Sequence, residues 1–127
     1  MRERILGPAF GALIIAAMQL PCAAADYGGA PAVGAVRTME KALLRSEIPP
    51  VQRDVLSTTV SNVVVSGNYA VCQYNVGESA GYSVYARSGA VWKRISHGGD
   101  VPTKESLRKL GVPASSIAVF AAHGGLG

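Results

Sequence analysis

Two histidines in matching glycine-rich settings are the residues best suited to chemistry in this sequence. His97 begins the run His-Gly-Gly-Asp that ends at Asp100, and His123 precedes a second pair of glycines. Glycines leave a neighbouring imidazole unhindered, and imidazole suits copper and zinc. The pattern predicts a metal site with His97 and His123 as principal ligands and Asp100 as a third. The alternative is two incidental surface histidines, because two histidines without a close third ligand fit no structural zinc spacing.

A second candidate site consists of aromatic and basic side chains in the middle of the chain. If Ser88-Gly89 forms a two-residue hairpin loop, Tyr85 faces Trp92 across two strands. Arg87 and Arg94 lie close to this pair in the sequence. The group predicts a binding surface for a peptide, a glycan or a protein partner. It equally fits an aromatic pair that only stabilises the outer face of the hairpin.

The sequence carries little that is typical of an enzyme. It contains no G-x-S-x-G, H-E-x-x-H or P-loop motif. Cys72 lies among the valines of a predicted strand, where a free cysteine acts as a small hydrophobic residue and is seldom reactive. A Ser–His–Asp set could be assembled from Ser96, His97 and Asp100, but Ser96 and His97 are adjacent on a strand and would point to opposite faces. We therefore predict a protein without catalytic activity.

The first 25 residues have the three parts of a secretory signal peptide. Two arginines precede an apolar run over residues 9–20, and Ala23-Ala24-Ala25 provides the small residues of a cleavage site. The apolar run is too short to span a bilayer as a helix. Cleavage after Ala25 predicts an exported protein, periplasmic or secreted, whose residues 26–127 form one small domain.

The charge of the chain argues against a nucleic-acid partner. The formal net charge is +4, and it falls by one when the signal peptide leaves. Basic residues stand singly or in pairs such as Lys93-Arg94 and Arg108-Lys109, with no run that could follow a phosphate backbone. No apolar stretch after residue 26 is long enough to span a membrane, and nothing in the sequence sets the oligomeric state.

Hydrophobic periodicity and turn residues predict an α+β domain with an N-terminal helix, a four-stranded antiparallel meander and two short C-terminal helices. Residues 26–35 read as a loose arm, and the first helix begins at Val36 and ends before Pro49. The predicted strands span residues 60–66, 69–76, 82–87 and 90–97, and the last two helices begin after Thr103 and near Ser115. One sheet face is predicted to be buried: Val63, Val65, Ala70, Cys72, Tyr74 and Val76.

The second half of the chain resembles a group of small exported bacterial proteins labelled copper-uptake-associated. The resemblance is carried by Gly81-Tyr82-Ser83-Val84, Gly89-Ala90-Val91-Trp92, the pair Gly98-Gly99 and the run from Leu107 to Pro113. In that group a cysteine often precedes the glycine pair, where this chain has His97. The resemblance implies copper as the ligand, and the exchange of cysteine for histidine would preserve a metal ligand.

Two functions follow as predictions. The first is a non-enzymatic accessory protein that handles copper in the periplasm through His97, His123 and Asp100. Because imidazole must be neutral to bind a metal, such binding should weaken as the pH falls through the range where histidines titrate, near ~6.5. The second is a protein-interaction or inhibitor module that acts on an envelope or secreted partner through the face of Tyr85 and Trp92.

Overall fold

The computed structural model describes residues 25–126 and has the predicted α+β architecture. Its elements are α1 (Ala30–Glu47), a short 3-10 helix (Pro50–Gln52), β1 (Thr58–Ser66), β2 (Tyr69–Val76), β3 (Ser79–Ser88), β4 (Val91–Gly98), α2 (Lys104–Lys109) and α3 (Ala114–Ala122). The predicted signal peptide lies outside the described residues except for Ala25. In the described part of the chain, no helix has both the length and the apolar character needed to cross a membrane.

Helix α1 begins six residues earlier than the sequence pattern predicted. Pro31 lies in its first turn, where the fixed φ of proline favours a helix and the missing N–H is not needed. The buried side of α1 carries Val33, Val36, Glu40 and Leu44 at helical spacing. The prediction of a loose arm over residues 26–35 is therefore wrong, because its second half is the first turns of this helix.

The residues just before α1 are fastened to strand β1. The N–H of Tyr27 donates to the Val63 carbonyl at 2.9 Å, and the Tyr27 carbonyl accepts from the N–H of Val65 at 2.8 Å. The Asp26 carboxylate accepts from the Val63 N–H at 3.0 Å and from the Arg37 guanidinium at 2.7 Å. These hydrogen bonds hold the residue that follows the predicted cleavage point against the sheet.

Replacing Asp26 with alanine should lower the free energy of unfolding by about 1–3 kcal/mol, because the buried N–H of Val63 loses its acceptor and Arg37 loses its ion pair. Denaturant unfolding of residues 26–127 would measure the change. Asp54→Ala is the control, since Asp54 is exposed and should change stability by less than about 0.5 kcal/mol. Equal effects of the two substitutions would contradict this role for Asp26.

The sheet is an antiparallel meander in the order β1-β2-β3-β4. Pairing of β1 with β2 starts at Ser66 and Tyr69, as predicted. A bulge interrupts the regular alternation of this ladder near Asn62, whose φ is 50°, and Asn62 and Val63 together lie opposite Cys72. Val63 and Cys72 face the same core.

The hairpin between β3 and β4 has a different loop from the predicted one. Ser88 pairs with Val91, so the loop is Gly89-Ala90 rather than Ser88-Gly89. Gly89 has a φ of 61°, the left-handed value that a type II′ turn needs at its first loop residue. Moving the loop by one residue shifts the pairing by two, so Trp92 lies opposite Arg87 instead of Tyr85.

Both faces of the sheet are covered by helices. Helix α1 covers a first core that contains five of the six residues predicted to be buried, while the sixth, Val76, is partly buried and packs against it. The members of this core are Val33, Val36, Leu44, Val60, Val63, Val65, Ala70, Cys72, Tyr74, Tyr85 and Trp92. Helices α2 and α3 cover a second core on the other face: Val64, Val71, Val84, Leu107, Val112, Ile117 and Phe120. A sheet with both faces covered explains why valines of either parity are buried in the central strands.

Candidate functional site at His97

The structure separates the two predicted histidine ligands. His97 lies on β4, at one edge of the sheet. His123 follows α3 and stacks on Tyr27 with ring centroids 3.6 Å apart, and Tyr27 lies outside β1, beyond the opposite edge. Strands β1 and β4 are three strand spacings apart, about 14 Å. One metal ion therefore cannot be shared by both histidines in this arrangement.

Asp100 remains near His97, since both line a groove between the end of β4 and the start of α2. Among residues 25–126, no group of three or more histidine, cysteine and acidic side chains is placed to hold a metal ion. The structure therefore does not bring His97, His123 and Asp100 together as one set of metal ligands.

A bulge in β4 sets the direction in which His97 points. Val84 pairs with Ser96 and Tyr85 pairs with Arg94, which leaves Ile95 as an extra residue. Without this residue, positions 94 and 97 would face opposite sides of the sheet, because side chains alternate along a strand. The bulge brings both Arg94 and His97 to the face covered by α1.

A buried carboxylate from α1 lies at the centre of this face. Glu40 has no exposed surface, and its oxygens accept hydrogen bonds from three side chains. Tyr85 donates at 2.6 Å, Ser83 at 2.5 Å and the Nε of Arg94 at 3.2 Å. Because a buried charge must be paired and hydrogen-bonded, this set of donors explains how the core contains an acidic residue.

Ser83 connects this carboxylate to His97. Its hydroxyl oxygen is 2.5 Å from Glu40 Oε2 and 2.9 Å from His97 Nδ1. A carboxylate only accepts, so the single hydroxyl proton goes to Glu40 and the contact with His97 requires a proton on Nδ1. An Nδ1–H tautomer of neutral His97 fits this contact and leaves a lone pair on Nε2.

The open nitrogen faces a second acidic residue of α1. His97 Nε2 is 3.8 Å from Glu47 Oε1, and about a third of the His97 side chain is exposed. Arg94 binds the Glu47 carboxylate through two N–H groups, at 2.7 and 3.3 Å. These hydrogen bonds from Arg94 lower the pKa of Glu47, so the carboxylate stays ionised beside the imidazole at neutral pH.

Tyr74 supports the other side of the imidazole. The two rings stack with centroids 4.9 Å apart, and Tyr74 pairs across the strands with Gly81. A methyl group at Gly81 would overlap the Tyr74 phenol and the Gly98 carbonyl oxygen. The absence of a side chain at Gly81 is therefore what lets the tyrosine ring reach His97.

Gly81→Ala should lower the free energy of unfolding by about 1–3 kcal/mol through overpacking and displace Tyr74 from the imidazole. Denaturant unfolding measures the first effect, and the ring-current shift of the His97 proton resonances measures the second. Gly99→Ala is the control, because a methyl there meets only the Ala80 carbonyl oxygen, at 3.9 Å. Unchanged His97 resonances in Gly81→Ala would contradict the stacking role.

Lowering the pH should reduce the free energy of unfolding through two acidic residues, Asp26 and Glu47. Burial of Asp26 favours its neutral form, but hydrogen bonds from Arg37 and the Val63 N–H outweigh it and lower the pKa of Asp26. The pKa of Glu47 is also lowered, by Arg94. The two ionised side chains contribute fully to folding stability above their ordinary pKa values of 3.8 and 4.5. This contribution is lost as the pH falls through their lowered pKa values in the folded protein. Stability measured between pH ~5 and pH ~2 should decline, and less steeply in a variant with both acids replaced by their amides.

The predicted aromatic surface is not at the surface. Tyr85 is fully buried and Trp92 is 5% exposed, both beneath α1. The prediction of an outer-face pair is wrong because α1 covers this face. Arg87 lies over the Trp92 ring at 4.8 Å, and Arg94 binds the acidic residues of α1.

Cys72 lies in the same core as these aromatic residues and has no exposed surface. Burial, with a smaller contribution from the nearby Glu40 charge, raises the pKa of its thiol. The thiolate form that binds metals or attacks substrates is therefore disfavoured.

Four residues of the His97 site were missed in the sequence: Glu40, Glu47, Tyr74 and Ser83. The sequence pattern could have indicated the burial of Glu40, because this residue lies four positions after Val36 and four before Leu44, on the apolar side of the helix. A charged residue in that position requires buried partners. No sequence pattern indicated the roles of Ser83 and Tyr74, since these roles depend on strand register and on the bulge at Ile95.

Comparison with protein-family models, with curated proteins and with solved structures finds no match for this chain. The resemblance to copper-uptake-associated proteins therefore stays a prediction, and the site has to be interpreted from its own geometry.

Proposed function

We propose that this chain is an exported, non-enzymatic accessory protein that binds copper in the periplasm, with His97 as its principal ligand. The supporting observation is the contact of Ser83 with both Glu40 and His97 Nδ1, which leaves Nε2 open. In metal sites, a histidine that binds through one ring nitrogen almost always donates the N–H of the other to an oxygen acceptor. The contact between Ser83 and Nδ1 of His97 fits this arrangement.

The surrounding donors favour Cu(II) over Cu(I). Glu47 Oε1 is 3.8 Å from Nε2 and places a carboxylate oxygen beside that nitrogen. Nitrogen and oxygen ligands suit Cu(II), which also binds more tightly than other divalent first-row metals, whereas Cu(I) prefers thiolate and thioether ligands. The nearby thiol, Cys72, is buried. We therefore expect one Cu(II) per chain, held by His97, one carboxylate and water, and exchanged readily.

Export is the second part of this proposal, and the N-terminal contacts support it. Asp26 and Tyr27 are held against β1 by backbone and side-chain hydrogen bonds. Cleavage after Ala25 would leave these contacts intact, and removal of one more residue would eliminate the acceptor of the Val63 N–H. Mass determination of the processed protein from an envelope fraction should therefore give an N-terminus at Asp26.

Calorimetric titration of residues 26–127 with Cu(II), Zn(II) and Cu(I) tests the metal proposal. At about pH 7.5 we expect binding of one Cu(II) and weaker binding of Zn(II). His97→Ala should abolish the site. His123→Ala is the matched control and should retain it, because His123 lies at the other edge of the sheet. Binding that disappears in His123→Ala and persists in His97→Ala would refute the proposal.

The alternative function, an interaction or inhibitor module, was based on an exposed aromatic surface that the structure does not have at the predicted residues. Its two aromatic residues, Tyr85 and Trp92, form part of the core under α1. We therefore retain copper binding at His97 as the proposal.

A further inference from the structure

The contacts behind His97 form a chain of hydrogen bonds that water cannot easily interrupt. Glu40 and Ser83 have no exposed surface. Glu40 cannot rotate freely, because Tyr85 and Arg94 hold Oε1 while Ser83 binds Oε2. The Ser83 hydroxyl is therefore kept as a donor to Glu40 and as an acceptor toward His97.

We propose that Ser83 and Glu40 are positioning residues that hold neutral His97 as the Nδ1–H tautomer and reserve Nε2 for a ligand. The metal-binding consequence rests on the function proposed above, but the tautomer does not. Neutral imidazole in water favours the proton on Nε2, which would block this nitrogen as a ligand. The hydrogen bonds that join His97, Ser83 and Glu40, which we call the relay, reverse that preference. An Nε2–H tautomer would place the lone pairs of Nδ1 and Ser83 Oγ against each other.

The same relay would tune the affinity of the site. A hydrogen bond from Nδ1–H to an oxygen acceptor orients the ring and makes the other nitrogen more basic, and loss of such a partner typically weakens metal binding about 10–100-fold. Ser83→Ala should therefore weaken Cu(II) binding by about that factor while the metal ligands themselves remain in place.

Proton–nitrogen NMR correlation of the metal-free protein, recorded above the pH range of histidine titration, reports the tautomer directly. The wild-type His97 should show a proton on Nδ1, and Ser83→Ala should shift it to Nε2. Tyr85→Phe is the matched control: it removes another hydrogen bond to Glu40, of 2.6 Å, without touching the imidazole. Ser83→Thr keeps the hydroxyl and should keep the tautomer.

The wild-type spectrum is decisive by itself if Ser83→Ala proves too unstable to study. A wild-type His97 with its proton on Nε2, or a tautomer unchanged in Ser83→Ala, would overturn the inference. An Nδ1–H tautomer that depends on Ser83 but not on Tyr85 supports it. If that pattern is found and Cu(II) does not bind, the relay stands and the proposed function fails.

Discussion

Replacing Glu40 with alanine is expected to lower the free energy of unfolding by about 3–5 kcal/mol, the cost typical of breaking a buried ion pair by removing one partner. Tyr85, Ser83 and Arg94 would lose their common acceptor inside the core. The side chain would also leave a void between α1 and the sheet. Denaturant unfolding, with the slope checked for two-state behaviour, measures this change.

Glu47→Ala is the control for this prediction, because Glu47 binds the same arginine from a half-exposed position. Exposed ion pairs contribute about 0–1 kcal/mol. Glu40→Gln separates charge from shape, since the amide fills the same volume but turns a donor toward one of the three donors around it. A Glu40→Ala variant no less stable than Glu47→Ala would show that the buried carboxylate does not organise this core.

Replacing Trp92 with alanine is expected to lower the free energy of unfolding by about 3–5 kcal/mol, the usual cost of truncating a buried aromatic side chain. The indole is 5% exposed beneath α1, and its removal would also eliminate the contact with Arg87. The same denaturant experiment measures it.

The neighbouring Val91→Ala serves as control, because Val91 is 66% exposed and should change stability by less than about 0.5 kcal/mol. The two substitutions lie side by side on β4 and differ mainly in burial. If Trp92→Ala leaves stability unchanged, the indole is at the surface, as the prediction of an outer-face aromatic pair required.

The sequence predicted the meander well because its signals are local. Alternation of valines marks the strands, and glycine marks each two-residue loop. Strand β3 begins three residues before the predicted strand, because Gly77 and Glu78 alone form the loop before it. The error at Gly89 came from placing this glycine second in its loop, whereas a type II′ turn needs it first. This shift of the loop by one residue was enough to pair Trp92 with Tyr85 in the prediction instead of Arg87.

The site was predicted less well because its contacts are distant in the chain. Ser83 and Tyr85 are 43 and 45 residues from Glu40, and Asp26 is 37 residues from Val63. The bulge at Ile95, which turns His97 toward α1, has no sequence signature comparable to a turn glycine. His97 was predicted as a site residue together with His123, but its contacts are with Tyr74, Ser83 and Glu47.

Paramagnetic mapping with Cu(II) tests the central claim most directly. A small amount of Cu(II) added to isotope-labelled protein broadens the NMR signals of nuclei close to the bound ion. The proposed site predicts selective broadening of His97, Tyr74 and Gly98, with the signals of His123 and Tyr27 unaffected. Broadening centred on His123, or no selective broadening at all, would contradict a copper site at His97.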